Sequence, residues 1–119
     1  MKATKYLGIA LLATALYSCD SHTYEEIEGE APIIEGNVTY EANVKSIVES
    51  ECISCHSPEG GYRPFNTYEQ FKEAVQTTDL LERIQKQNTE PGVMPQTGRM
   101  AQNKIDIILQ WNEDGLLEN

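Results

Sequence analysis

Basic residues are scarce in this chain of 119 residues, which has 9 Lys and Arg against 19 Asp and Glu. A nucleic-acid-binding protein needs a basic stripe or patch, so the composition predicts no nucleic-acid partner. Histidine is rarer still, since His22 and His56 are the only two. No apolar run approaches the roughly 20 residues that a membrane-spanning helix needs. At this length the chain holds one domain at most, together with any processed ends.

The longest apolar run, Tyr6 to Tyr17, follows Lys2 and Lys5 at the start of the chain. Its 12 residues are too few to span a bilayer but suit the core of a signal peptide. The run ends in "LYSC", which resembles the lipobox of bacterial lipoproteins: an apolar residue stands three positions before the cysteine and a small one directly before it. This resemblance implies that residues 1–18 are a signal peptide and that Cys19 is lipidated. The protein is then exported to the bacterial cell envelope and anchored to the inner or outer membrane.

The stretch after Cys19, "DSHTYEEIEGEAPIIEG", contains six acids and neither Lys nor Arg. One sign of charge and low hydrophobicity predict a solvated tether over residues 19–37 rather than part of a core. His22 lies in this tether, where a solvated side chain is expected rather than a metal ligand. The folded domain is predicted to comprise residues 38–119. A domain of that size has a thin core and often depends on a disulfide, a metal or a cofactor.

Two of the three cysteines lie in the pentapeptide "CISCH", which ends at His56. C-x-x-C-H is the attachment signature of c-type haem, in which two thiols add to the vinyl groups and the histidine supplies an axial nitrogen to the iron. The motif predicts one covalent haem c held by Cys52 and Cys55, with His56 as an iron ligand. Zinc would need a second ligand pair, and a thioredoxin-like dithiol would need a βαβ setting. A Cys52–Cys55 disulfide in an exported non-haem module stays open as an alternative.

Hydrophobic periodicity predicts helices on both sides of this motif. An amphipathic helix leads directly into Cys52, and Thr67-x-x-Gln70 has the capping-box pattern of a helix start. Gly115 is suited to end the last helix in a left-handed conformation. The four helices are expected to begin after Thr39, Thr67, Asp79 and Ala101. The sequence therefore predicts an all-α fold.

A loop that contains two prolines and two glycines, "NTEPGVMPQTG", separates the last two predicted helices. Pro95 disfavours the helical region for Met94, so the loop holds that side chain in an extended setting. Thioether sulfur is a soft ligand for haem iron and raises its potential. Met94 is therefore predicted as the second iron ligand. Met100 competes for this role, although a place at the start of the last helix favours packing against the first turn.

The ordered set of a helix ending in "CISCH", the loop "PGVMPQTG" and a final helix with Trp111 resembles class I cytochrome c, and more narrowly the small bacterial haem domains. The resemblance spans Thr39 to Gly115. It implies a cytochrome c-like bundle of about four helices around the haem. The N- and C-terminal helices are expected to cross, with Val44 and Val48 facing Trp111.

The same resemblance implies that His56 is the proximal ligand and Met94 the distal one. It also implies that a proline carbonyl, that of Pro58 or Pro64, accepts the other N–H of His56. The function it implies is electron transfer with redox protein partners rather than enzymatic catalysis. A haem-based gas sensor would follow if Met94 does not bind the iron. A peroxidase is disfavoured because the sequence offers no obvious distal acid–base pair.

Overall fold

The computed structural model describes residues 34–119, so the predictions on Cys19, His22 and the signal peptide lie outside the described residues. Within residues 34–119 the fold is all-α and contains no strand. Its only β-type pairing there is an isolated bridge between Thr39 and Leu117. The four α-helices are α1 (Lys45–Glu51), α2 (Tyr68–Thr77), α3 (Leu80–Gln85) and α4 (Gln102–Glu113). The prediction of an all-α fold with about four helices is confirmed. In this part of the chain no helix has the length and apolar character needed to cross a bilayer.

The first helical segment begins as a π-helical turn, Tyr40–Val44, which continues directly into α1. Thr39 is the extended residue before this turn, as predicted, but its side chain makes no capping hydrogen bond. Its backbone N–H instead donates to Oδ1 of Asn43 at 2.9 Å. At the other end the N–H of Cys52 donates to the carbonyl of Val48 at 2.9 Å. The helix that leads into Cys52 is therefore confirmed.

Helix α2 starts with the predicted capping box. The N–H of Gln70 donates to the Thr67 hydroxyl at 3.3 Å, and the N–H of Thr67 donates to the Gln70 side chain at 3.2 Å. Helix α3 starts differently, because Asp79 makes no capping bond to the backbone. Its carboxylate accepts from Nε of Arg83 at 2.8 Å. This ion pair within one turn holds the pKa of Asp79 below its usual value.

Helix α4 ends in the manner that Gly115 predicts. Gly115 has a φ of 96°, in the left-handed region that a residue without Cβ adopts at low cost. The N–H of Leu116 then donates to the carbonyl of Trp111 at 2.9 Å, and that of Gly115 to Asn112 at 3.3 Å. These two bonds form a Schellman motif, in which Leu116 turns back to pack beside Trp111 in the core.

Trp111 is fully buried at the centre of an aromatic cluster. Its ring stacks on Phe71 with centroids 5.8 Å apart, and Tyr40 lies 5.8 Å away in a tilted arrangement. Through Tyr40 the π-helical turn packs against α4, while Val44 and Val48 lie in the same buried core. The first and last helical segments are therefore in contact, and the aromatic partner of Trp111 from the first segment is Tyr40.

The N-terminal entry to the domain is joined to its last residues. The N–H of Val38 donates to Oδ2 of Asp114 at 2.6 Å. The N–H of Tyr40 donates to the carbonyl of Leu117 at 2.9 Å, and that of Glu41 to Glu118 at 3.0 Å. The backbone of residues 38–41 is thus held by the C-terminal end of the domain.

Candidate functional site

One cavity, with a volume of about 340 Å³, brings together the residues predicted to bind haem. This volume falls within the roughly 300–1,000 Å³ of small-molecule and cofactor pockets. Cys52, Cys55 and His56 reach it from the end of α1, and Met94 reaches it from the loop between α3 and α4. The rest of its wall is largely apolar, and its buried side chains are Phe65, Phe71, Ala74, Leu80, Ile84, Met100 and Ile108.

The C-x-x-C-H segment is a tight turn that directly follows α1. The carbonyl of Cys52 accepts from the N–H of Cys55 at 3.2 Å and from the N–H of His56 at 2.9 Å. Because both bonds share the Cys52 carbonyl oxygen, Cys52, Cys55 and His56 lie close together. The spacing in the sequence thus becomes a compact group on one side of the cavity.

Both cysteines are free thiols in the structure, and no disulfide joins them. Cys55 is exposed, whereas Cys52 is partly buried. Burial, with a smaller contribution from the negative charge of Glu51, raises the pKa of Cys52 to about 12. Cys52 is therefore a neutral thiol at physiological pH. Across residues 34–119 no group of three or more His, Cys, Asp and Glu side chains could hold a metal ion by itself.

The imidazole of His56 is fixed in position and in tautomer. Its Nδ1 lies 2.7 Å from the carbonyl oxygen of Arg63. Because a carbonyl only accepts, Nδ1 carries the proton and Nε2 of the neutral ring keeps its lone pair. The ring also stacks on Phe65 with centroids 4.1 Å apart and planes 5° from parallel. One nitrogen is therefore committed to the backbone, and the other is available to a ligand.

The expectation that a proline carbonyl accepts from His56 was wrong. The acceptor is Arg63, the residue immediately before Pro64. The N–H of Phe65 donates back to the carbonyl of His56 at 2.8 Å, so the chain around Pro64 closes onto His56 from two sides. This closure, which places the Arg63 carbonyl beside Nδ1 of the ring, depends on the fold of the whole loop.

Two thioethers line the cavity. Met94 is partly buried, and its N–H donates to the carbonyl of Arg83 at 3.1 Å, which ties the loop to α3. Met100 is buried, with 4% of its surface exposed. Helix α4 starts at Gln102, directly after Ala101 as predicted, so Met100 lies two residues before the helix. Both sulfur atoms therefore belong to side chains of the same cavity wall.

The charged side chains of the cavity wall are paired with other charges. Arg63 pairs with Glu73 at 3.1 Å, and Asp79 pairs with Arg83 at 2.8 Å. Glu51, at the end of α1, pairs with Lys104 of α4. In a protein with an excess of acids, the wall of this cavity is close to electrically neutral.

Gly60 is a residue of the site that the sequence analysis missed. A Cβ at this position would lie 2.1 Å from the carbonyl oxygen and 2.8 Å from the carbonyl carbon of Cys55. Such contacts are far below van der Waals distance, so only glycine lets the loop approach the C-x-x-C-H turn this closely. The dipeptide Gly60-Gly61 indicated a loop but not this contact.

No protein-family model, curated protein or solved structure matches the chain. The function is therefore argued from the motif and from the geometry of the cavity.

Proposed function

We propose that this protein is an electron-transfer c-type cytochrome with a single haem, tethered to a membrane by lipidation of Cys19. One observation supports the proposal above all others. Cys52, Cys55 and His56 on one side, and Met94 from a loop about 40 residues later, line one largely apolar cavity. No local feature of the sequence requires these two segments to meet. Their meeting would supply the two thiols that attach haem c covalently, and the nitrogen and sulfur that its iron takes as ligands.

The chemistry of the lining residues fits haem c. Cys52 and Cys55 would form the thioether bonds, and Nε2 of His56 together with the sulfur of Met94 would hold the iron. The bound haem would supply one-electron chemistry between Fe(III) and Fe(II). The apolar wall would exclude water from the group, as the interiors of cofactor sites do.

The chain also restrains its own ligands, as electron transfer with little structural change requires. His56 is held by a hydrogen bond to Arg63 and by stacking on Phe65. Met94 is held through its backbone by the last turn of α3. Both proposed ligands are therefore restrained by contacts with the rest of the chain. This restraint favours electron transfer over a gas sensor, in which the distal ligand must leave the iron.

An absorption spectrum and an intact mass test the proposal directly. The full chain, matured in a host that attaches haem c, is expected to show the reduced and oxidised bands of a six-coordinate c-type haem. After acid and organic extraction its mass should still exceed that of the polypeptide by one haem. Haem that extracts freely, or a Cys52–Cys55 disulfide in its place, would contradict the proposal.

Gly60→Ala is expected to lower the haem content of the protein. The new methyl group must displace the Cys55 carbonyl, at a cost of about 1–3 kcal/mol in the free energy of unfolding for such overpacking. Gly61→Ala is the matched control. Gly61 has a φ of 75° with nothing near its missing Cβ, so alanine costs about 1–2 kcal/mol through backbone conformation alone. Thermal unfolding should therefore show similar losses of stability in the two variants. The ratio of haem to protein absorbance should fall in the Gly60 variant only. Equal haem content in both would show that the contact at Cys55 is unimportant.

Cys19→Ser is expected to abolish lipid attachment. The thiol is the acceptor of the diacylglyceryl group in the lipobox interpretation, and serine offers no equivalent sulfur. Incorporation of labelled fatty acid and membrane fractionation measure the result, and Cys52→Ser should retain the label as a control. A mature N-terminus at any residue other than Cys19 would contradict the lipoprotein assignment.

A further inference from the structure

We propose that Arg63 is a positioning residue for His56. Its side chain holds its own backbone carbonyl against Nδ1 of His56 and so tunes that residue as an iron ligand. This inference rests on the proposed function, because it concerns how the chain sets the strength of its nitrogen ligand. It assigns a role to a side chain that lies outside the C-x-x-C-H motif and was not predicted to belong to the site.

The guanidinium group of Arg63 is attached to α2 at two points. One nitrogen lies 3.1 Å from the carboxylate of Glu73, and another donates to the hydroxyl of Thr77 at 3.2 Å. Thr77 is itself oriented, because its hydroxyl donates to the carbonyl of Glu73 at 2.7 Å. The fork of the guanidinium therefore meets two partners one helical turn apart, a geometry that a single ammonium group cannot reproduce.

The backbone of the same residue accepts the Nδ1 proton of His56 at 2.7 Å. Arg63 thus links a rigid helix to the imidazole: its side chain contacts α2, and its carbonyl contacts the ring. Phe65 supports the same loop from its other end, with its N–H donating to the His56 carbonyl at 2.8 Å. A weakened contact with α2 therefore frees the Arg63 carbonyl and also loosens the hydrogen bond of the Phe65 amide, two residues further on.

The link has a chemical consequence at the second ring nitrogen. A hydrogen bond from Nδ1 to a carbonyl makes the imidazole a more basic ligand through Nε2. A more basic ligand favours the oxidised iron, so a well-held Arg63 carbonyl lowers the reduction potential. Because the ion pair between Arg63 and Glu73 is exposed, its contribution to the position of the loop, and hence to the reduction potential, is small and sensitive to salt.

The test compares Arg63→Met with Lys45→Met in the haem-loaded full chain. Methionine keeps the apolar part of the side chain and the backbone carbonyl, and it removes the guanidinium group with its charge. Lys45→Met removes the same charge and a comparable exposed ion pair, with Glu41 at 2.9 Å, away from the His56 loop. Arg63→Lys is the conservative variant, since it can pair with Glu73 but cannot also reach Thr77 with the same geometry.

Hydrogen exchange and redox titration provide the two readouts. Arg63→Met is expected to speed exchange of the Phe65 amide about two- to fivefold, the effect of losing one exposed ion pair on local opening. It should also raise the midpoint potential, whereas Lys45→Met changes neither quantity. Arg63→Lys should give intermediate values of both.

Changes in Arg63→Met that do not exceed those in Lys45→Met would overturn the proposal. Faster exchange with an unchanged potential would overturn it too, because the loop would then move without affecting the ligand. A protein whose intact mass shows no haem contradicts the proposed function instead. In that case exchange of the Phe65 amide alone decides whether Arg63 fixes the loop.

Discussion

Replacement of Cys52 and Cys55 together by serine is expected to abolish covalent retention of haem. The two thiols line the cavity beside His56 and supply the sulfur of both thioether bonds in the proposed cytochrome. Serine preserves the size of each side chain but forms no such bond. Intact mass after acid and organic extraction should fall to that of the polypeptide alone, and the haem bands should disappear from the extracted protein.

The single variants and a neighbouring control separate attachment from packing. Cys55 is exposed, so Cys55→Ser changes the haem linkage with little effect on the core. Cys52 is partly buried, and a serine hydroxyl left there without a partner adds about 1–3 kcal/mol of destabilisation. Ser54→Ala changes an exposed residue between them and should retain the full haem mass. Covalent haem in the double-serine protein would refute the proposed attachment.

Met94→Ala is expected to erase the sulfur-to-iron charge-transfer band of the oxidised protein. In the proposed cytochrome the Met94 thioether is an iron ligand that favours the reduced state, so its loss should lower the midpoint potential. The vacated coordination position should make the reduced protein bind carbon monoxide readily. Absorption spectra of both oxidation states, with and without carbon monoxide, measure this outcome.

Met100→Ala is the matched control, because Met100 is the other thioether of the same cavity wall. With only 4% of its surface exposed, its truncation should cost about 2–5 kcal/mol in the free energy of unfolding and leave the charge-transfer band in place. If the band survives Met94→Ala and vanishes in Met100→Ala, the ligand is Met100. If neither substitution alters the spectrum, the sixth ligand is not a methionine and the gas-sensor interpretation gains the advantage.

Local patterns in the sequence predicted the parts of the fold that depend on neighbouring residues. The capping box at Thr67 and the left-handed stop at Gly115 each require contacts within a few positions, and the structure has both. The helix that leads into Cys52 also follows from a single apolar face. Its opening π-helical turn does not: there the Thr39 side chain makes no capping bond, and the Thr39 N–H donates to the Asn43 side chain.

Contacts between distant segments were harder to predict. The hydrogen-bond acceptor for His56 is a backbone carbonyl, which every residue has, so no side-chain type marks Arg63 for this role. The role of Gly60 depends on how closely its loop approaches the Cys55 carbonyl, a distance that only the folded chain defines. The shared cavity of His56 and Met94 was expected from the resemblance to class I cytochrome c rather than from either motif alone.

The bonds between the start and the end of the domain determine how it responds to force. Any tension applied to residues before Val38 reaches the domain first through the Asp114 carboxylate and the Leu117 and Glu118 carbonyls. These acceptors belong to the turn and final segment after α4, whereas the cysteines and His56 lie at the far end of α1. If Cys19 is lipidated as proposed, a pull through the anchored end of the chain would therefore act on these terminal hydrogen bonds before it acted on the cavity.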